Sequence, residues 1–267
     1  MWLQGLDVAP ELVKRCVYSW QRHNPDWKII VLDEQNLKEY IEVYDFVGRN
    51  RATITIQALS DIIRINLLAK FGGVWADATC FCCQPLAEWI GNYMTSGFFA
   101  FEKPGPDRLI SNWFLASGKN CHLTQTFCKA TNSYWSQNYF PFQKSRWGRK
   151  IIKELSKILN RNVRLASLWV YPLTAKVLRL HPYFCHHYIF YRVVTTDARS
   201  GELWRQTPKI SADIPHRLQF AGLLKPASAE IKTIIDGRKD PLYKLDWRCD
   251  PDSVLGCNLD YLLRSQS

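Results

Sequence analysis

The chain has 267 residues, 47% of them hydrophobic and 22% charged, and a formal net charge of +11. This is enough apolar material for one sizeable core with a small appended lobe, and it excludes a disordered chain. The positive balance favours anionic partners such as phosphates or an acidic membrane surface.

Residues 1–3 read as the end of a short strand. Pro10 suits a first helical turn, Val13, Cys16, Val17 and Trp20 recur at helical spacing, and Asn24-Pro25 ends that helix. Residues 27–32 form a β-rich apolar run, and a short helix follows over residues 34–41. This βαβ order predicts a largely parallel sheet flanked by helices. Ser60 is placed as an N-cap with Asp61 in the first turn, and Gly72 marks the stop of that helix. Residues 74–80 read as a strand of period two, with Val74, Ala76 and Ala78 on one face and Trp75, Asp77 and Thr79 on the other.

Residues 98–101 and 112–115 read as further strands. Basic residues are spread along the chain without a run of five; Arg146, Arg149, Lys150 and Lys153 are the densest group. They open a predicted amphipathic helix marked by Ile151, Ile152, Leu155, Ile158 and Leu159, so a solvated face is expected there and no nucleic-acid partner. Residues 183–190 are an aromatic, His-rich run. From Pro226 onward the signals are weak, which gives two expected parts: 1–225 as the main domain and 226–267 as a C-terminal extension packed on it or trailing from it.

The nine cysteines are odd in number and match no zinc spacing, so free thiols in a reducing compartment are expected. With neither a secretion signal at Met1 nor an apolar stretch approaching the ~20 residues of a membrane span, the expected location is cytoplasmic, with peripheral association at the inner face of the membrane. Oligomeric state is left open.

Transfer of a sugar from a nucleotide donor demands two things. The departing diphosphate must have its charge stabilised, and the anomeric carbon must be held facing the acceptor. Asp77, a strand-end carboxylate just after Gly72-Gly73, can serve as an oxygen ligand for a divalent cation that bridges protein and diphosphate. Asp61 and Arg64 stand at i and i+3 on one helix face, and such a pair can hold a hydroxyl and a phosphate; a helix-surface ion pair is the alternative. Asn112 offers an amide to sugar hydroxyls or caps a turn. Asp107, Asp197 and Asp213 are the remaining carboxylates near which an acceptor could bind. Singly these residues are weak signals; the order Ser-Asp-X-X-Arg followed by Gly-Gly-X-Trp-X-Asp is much more specific.

With residues 60–64 and 72–79 quoted in that order, the chain resembles the capsular polysaccharide synthesis proteins. These are related to glycosyltransferase family 32 and to the sugar-transferring domains of clostridial glucosylating toxins. Trp2-Leu3-Gln4-Gly5, Ala9-Pro10, Ser19-Trp20, Asn24-Pro25, residues 111–114 and residues 183–190 add to the likeness, which spans roughly residues 1–220. The resemblance implies a GT-A-like fold with a Rossmann-like, mostly parallel sheet and a smaller C-terminal acceptor-side region. It also implies a nucleotide-sugar donor, UDP-sugar favoured, a glycan acceptor, Mn2+ or Mg2+, and retention of anomeric configuration.

By the same resemblance, Trp2, Gln4, Asp61, Arg64, Trp75, Asp77 and Asn112 bind the donor. Asp77 and His187 are the catalytic candidates, and Asp77, Thr79 and His216 are the metal candidates. His187 also reads as a core histidine and His216 as a surface one. Thr79 departs from the second carboxylate usual at that position and is a weaker ligand for a hard cation. The first strand is short. These departures keep open an alternative: a catalytically silent nucleotide-sugar-binding protein.

Overall fold

The structure is a computed structural model, described for residues 1–265. Helix α1 spans Glu11–His23. Pro10 occupies its N-cap position, the four predicted apolar positions are buried, and the Asn24 N–H closes the helix on the Trp20 carbonyl. Helix α2 is a single turn, Leu37–Tyr40. The predicted strand at 27–32 does not form. That run joins no ladder; among its bonds and those just after it are Trp2 N–H to the Leu32 carbonyl at 2.9 Å, Asn36 Nδ2 to the Val31 carbonyl at 2.9 Å and Glu34 N–H to the Leu3 carbonyl at 3.0 Å.

Helix α3 spans Ile56–Phe71 and begins earlier than expected. The Thr55 hydroxyl accepts the Ala58 N–H and is the true cap, which places Ser60 inside the helix. Gly72 ends it at φ 71° and ψ −156°, a backbone state reserved almost wholly for glycine. Strand β1 covers Gly73–Ala76 and β2 covers Cys80–Cys82. The continuous strand predicted over 74–80 is broken between them, because the Asp77 carbonyl takes the Cys80 N–H in a tight turn. Trp75, Asp77 and Thr79 therefore do not share a strand face.

The remaining elements, in chain order, are α4 (Leu86–Trp89), β3 (Phe98–Gly105), β4 (Arg108–Ser117), α5 (His122–Gln137), α6 (Arg146–Leu159), α7 (Val163–Ala166), α8 (Cys185–Thr196), α9 (Ala198–Gln206), α10 (Asp213–Ala221), α11 (Ala229–Asp236), β5 (Leu242–Lys244) and α12 (Asn258–Ser265). The strands form a three-stranded sheet in the order β1-β4-β3 and a two-stranded sheet β2-β5. Pairs β3–β4 and β2–β5 are antiparallel, and an isolated parallel bridge joins Glu102 to Ser211. These small sheets differ from the largely parallel central sheet expected from the βαβ order. The difference starts at residues 27–32, which that order needed as a strand and which lie outside both sheets.

The chain divides into two compact units. The first comprises Met1–Leu37, Ala76–Asn92 and the chain from Ala212 onward. Its core gathers Leu12 and Cys16 of α1, Phe81 of β2, Leu218 of α10, Ile231 and Ile235 of α11, Tyr243 of β5, and Leu259 and Leu262 of α12. Residues of 231–263, within the part expected as an extension packed on the main domain or trailing from it, thus contribute to the core of this unit.

The second unit comprises Lys38–Trp75 and Tyr93–Ser211. Phe98, Phe99 and Phe101 of β3 pack with Phe114 of β4, Phe127 of α5, Phe190 of α8 and Trp204 of α9 through stacked and edge-on contacts at 5.2–6.4 Å. Each buried ring of this kind contributes about 1.5–3 kcal/mol through area removed from water. All nine cysteines are free. Among the described residues no helix is long and apolar enough to cross a membrane.

Candidate functional site

In the second unit, α3 and β4 bring together Asp61, Arg64 and Asn112, and β1 adds Trp75. The Arg64 side chain is buried and its donors are directed inward. Nε donates to the Ser60 carbonyl at 3.2 Å, Nη2 to the Ser60 hydroxyl at 2.8 Å, and Nη1 to the Asn112 carbonyl. Its guanidinium also lies 3.4 Å from Asp61 Oδ1 and 5.2 Å from the centre of the Trp75 ring. Ser60 thus holds the arginine fork and caps nothing. Asp61 Oδ1 accepts in addition from Asn112 Nδ2 at 3.3 Å. Spacing i, i+3 predicted the Asp61–Arg64 pair, and only β4 could add Asn112 to it.

Two histidines of α8 complete this cluster. His187, a predicted residue, and His186, which the sequence reading missed, place their Nδ1 atoms 3.3 and 2.9 Å from Asn112 Nδ2. Asp61 Oδ1 is 3.6 Å from His186 Nδ1. Burial holds both imidazoles well below the usual histidine range, and the nearby Arg64 and Arg108 charges add to the effect. Both rings are therefore neutral, and Asn112 Nδ2, with two N–H donors, shares them among Asp61 and the two histidine Nδ1 atoms. His187 is a buried partner of Asn112, with Phe184 against its ring.

Asn112 Oδ1, His186 Nε2 and the Ser111 hydroxyl are buried with no hydrogen-bond partner among the described residues. An unmet buried polar atom costs roughly 1–3 kcal/mol. Asn112 Oδ1 and His186 Nε2 belong to residues in direct contact, whereas Ser111, the neighbour of Asn112 on β4, turns to the other face of the strand. The signal for His186 was present in the sequence as the His186-His187 pair, but only the helical register of α8 shows that both rings turn toward β4.

In the first unit, Asp77 opens the turn that leads into β2, and Thr79 is buried at its end. The β2–β5 register sets Cys80 opposite Lys244. The Lys244 ammonium donates to the Thr79 hydroxyl, and the Leu245 N–H bonds the Thr79 carbonyl at 2.8 Å. Burial pushes the Cys80 thiol up to about 12; the Lys244 charge draws it down and the Asp77 charge raises it further. A carboxylate and an ammonium thus both act on one short turn.

Trp2 is half-buried and meets Trp247 edge-on at 6.0 Å; Trp247 is 46% exposed, and the Arg248 guanidinium stands 5.5 Å from its ring centre. Gln4 is exposed on the turn that the Gly5 N–H closes onto the Trp2 carbonyl. Lys244 and Trp247 were not found from sequence, although residues 243–247 alternate in the period-two pattern of a strand.

The predicted cation ligands can be compared with this arrangement. The Thr79 hydroxyl already accepts from an ammonium, which a cation at that oxygen would meet with like-charge repulsion. His216, on α10, turns Nδ1 to its own helix at the Ala212 carbonyl, 2.7 Å away, and stacks on Phe220 at 6.0 Å. Among the described residues no group of three or more His, Cys, Asp or Glu side chains is placed to hold a metal. Asp77, Thr79 and His216 as arranged do not suit Mn2+ or Mg2+, which favour several oxygen ligands around the ion.

The profile of the capsular polysaccharide synthesis protein family matches residues 1–144, more than half of the 267. The chain is also similar to the O-glycosyltransferase braB of Annulohypoxylon truncatum, at 25% identity over 154 residues. That match covers 50% of this chain and 36% of the relative, so the chain spans little more than a third of that protein's length. No solved structure gives a significant match.

Proposed function

The chain belongs to the capsular polysaccharide synthesis protein family, and from that premise we propose that it is a glycosyltransferase. It moves a hexosyl group from a nucleoside-diphosphate donor, UDP-sugar favoured, to a glycan hydroxyl in surface polysaccharide synthesis, with retention. The anomeric carbon loses its bond to the β-phosphate oxygen, and the electron pair leaves with the nucleoside diphosphate. The acceptor oxygen forms the new bond and gives its proton to the departing diphosphate oxygen. The observation that carries this reading lies in the first unit, where the Lys244 ammonium is held at the Thr79 hydroxyl in the turn that Asp77 opens.

In the second unit, Arg64 and the Asn112 amide fix the Asp61 carboxylate. His186 and His187 hold that amide in place. In the first unit, Trp2 and Trp247 supply aromatic surface for the base, with Gln4 beside them. Lys244 is the counter-charge for the departing diphosphate, a point charge of the kind that commonly binds phosphate. Asp77, across the same turn, orients the ribose or the diphosphate.

A screen of nucleotide release over a panel of nucleotide sugars and glycan acceptors tests this reading. The expected result is release from one donor, undiminished by chelation of divalent cations. Asp77→Asn is expected to abolish release with an unchanged melting temperature, and Lys244→Met to raise the donor KM tenfold or more. Wild-type release by Asp77→Asn would overturn the assignment. A second reading, a silent nucleotide-sugar-binding protein, draws on the Thr79 hydroxyl being held by Lys244 where a second carboxylate was expected. Donor binding by calorimetry without release to any acceptor would select it.

A further inference from the structure

Residues 144–179 carry ten Lys and Arg side chains against one Glu, a net +9 of the chain's +11. All ten are exposed. The charge that looked dispersed along the sequence is therefore concentrated on one segment of the second unit.

Its geometry is ordered. On α6, capped by the Ser145 hydroxyl, Arg146, Lys150, Lys153 and Lys157 recur at i, i+4, i+7 and i+11 and form one stripe. Ile151, Ile152, Leu155 and Leu159 lie on the opposite face and pack against the buried cluster of Ala166, Trp169, Leu180 and Tyr188. The stripe therefore faces away from the core. Arg161, Arg164, Lys176 and Arg179 continue the charge through α7 and the turns that follow.

The same segment leaves large apolar side chains in the open. Trp147 is 61% exposed, Ile158 54%, Leu173 65% and Val177 68%. On α6, Trp147 and Ile158 lie along one side of the basic stripe, at the edge of the packed face. Leu173 and Val177 lie on a short π-type turn between α7 and α8, with Lys176 and Arg179 beside them. Basic side chains interleaved with exposed Trp, Leu, Ile and Val fit a surface that is anionic and apolar at once. A nucleic acid would match the charge but would leave the apolar groups in water.

We propose that residues 144–179 dock the protein on an anionic lipid bilayer, the basic stripe of α6 against acidic headgroups and the exposed apolar side chains at the acyl boundary. Juxtaposed basic residues each contribute about 1 kcal/mol near such a surface, and one shallow apolar patch alone binds only marginally, so the two terms act together. This proposal is independent of the transfer reaction.

Co-sedimentation of the full chain with vesicles tests it. Binding is expected to phosphatidylcholine vesicles containing about one third phosphatidylglycerol, to fall with added salt, and to be absent with phosphatidylcholine alone. The triple variant Lys150→Glu, Lys153→Glu, Lys157→Glu is expected to weaken binding at least tenfold with an unchanged melting temperature. The pair Leu173→Ser, Val177→Ser is expected to weaken binding as well and to leave a remainder that salt abolishes. Three results would each overturn the proposal: no binding to the anionic vesicles, undiminished binding by the triple variant, or undiminished binding by the serine pair together with tight, salt-sensitive binding of RNA to the same segment. The last of these would reassign the surface to nucleic acid.

Discussion

Arg64 shows how one side chain can be both expected and misread. Its spacing from Asp61 suggested a pair available to ligands, and the structure instead spends its donors on Ser60, Asp61 and Asn112. A buried guanidinium with several fixed acceptors is a scaffold for the groups around it. Lysine keeps the charge but cannot span a serine carbonyl, a serine hydroxyl and the carbonyl of a neighbouring strand. Arg64→Lys is therefore expected to cost about 2–4 kcal/mol, by analogy with breaking one side of a buried ion pair. Urea unfolding checks this, and an unshifted midpoint would show that the network does not support the fold.

At the scale of elements, the Gly72-Gly73 pair has a physical cause. A Cβ on Gly72 would meet the Lys119 amide nitrogen at 2.9 Å and the Ser117 carbonyl oxygen at 3.1 Å, in a backbone state already unfavourable to other residues. Gly72→Ala is expected to destabilise by about 2–4 kcal/mol, from strain and overpacking together; thermal unfolding measures it, and a neutral result would mean that the α3–β1 turn relaxes freely.

Three buried histidines of the second unit set a pH response. Burial lowers His181 to about 3 among Tyr134, Trp135 and Phe140, and it holds His186 and His187 well below their ordinary range. The unfolded chain protonates each near pH 6.5, so below that pH the unfolded state binds more protons and stability is lost. Above it the contribution is complete and flat. Each histidine contributes a slope of about 1.4 kcal/mol per pH unit below pH 6.5. The melting temperature is expected to hold from pH 8 to 7 and to fall steeply from pH 6.5 to 5, less steeply in His181→Phe; a flat profile would contradict it.

For the whole molecule, the first unit is assembled from three separated stretches, and its core needs α11, β5 and α12 beside α1 and β2. A chain ended at residue 225 loses Ile231, Ile235, Tyr243, Leu259 and Leu262 from that core at once. It is expected to lose cooperative unfolding and donor binding together, as read by circular dichroism and calorimetry. A truncated chain that melts like the full one would place residues 226–267 outside the folding unit.

Local chemistry made α1, α3, β3, β4 and α6 legible in the sequence, because capping residues, glycine stops and apolar periods act within a few residues. The Asp61–Arg64 pair was legible for the same reason: i, i+3 is a property of the helix alone. Whether residues 27–32 become a strand, whether Asp77 and Thr79 share a face, and whether the tail is core depended on partners far away in the chain. Lys244 reaches Thr79 only because β5 pairs with β2 across more than 160 residues, and Asn112 meets Asp61 only because β4 lies beside α3. The family motif was therefore written in sequence, whereas the charge that stands at Thr79 was decided by tertiary pairing, since a strand's register fixes which side chains meet and no local preference encodes it.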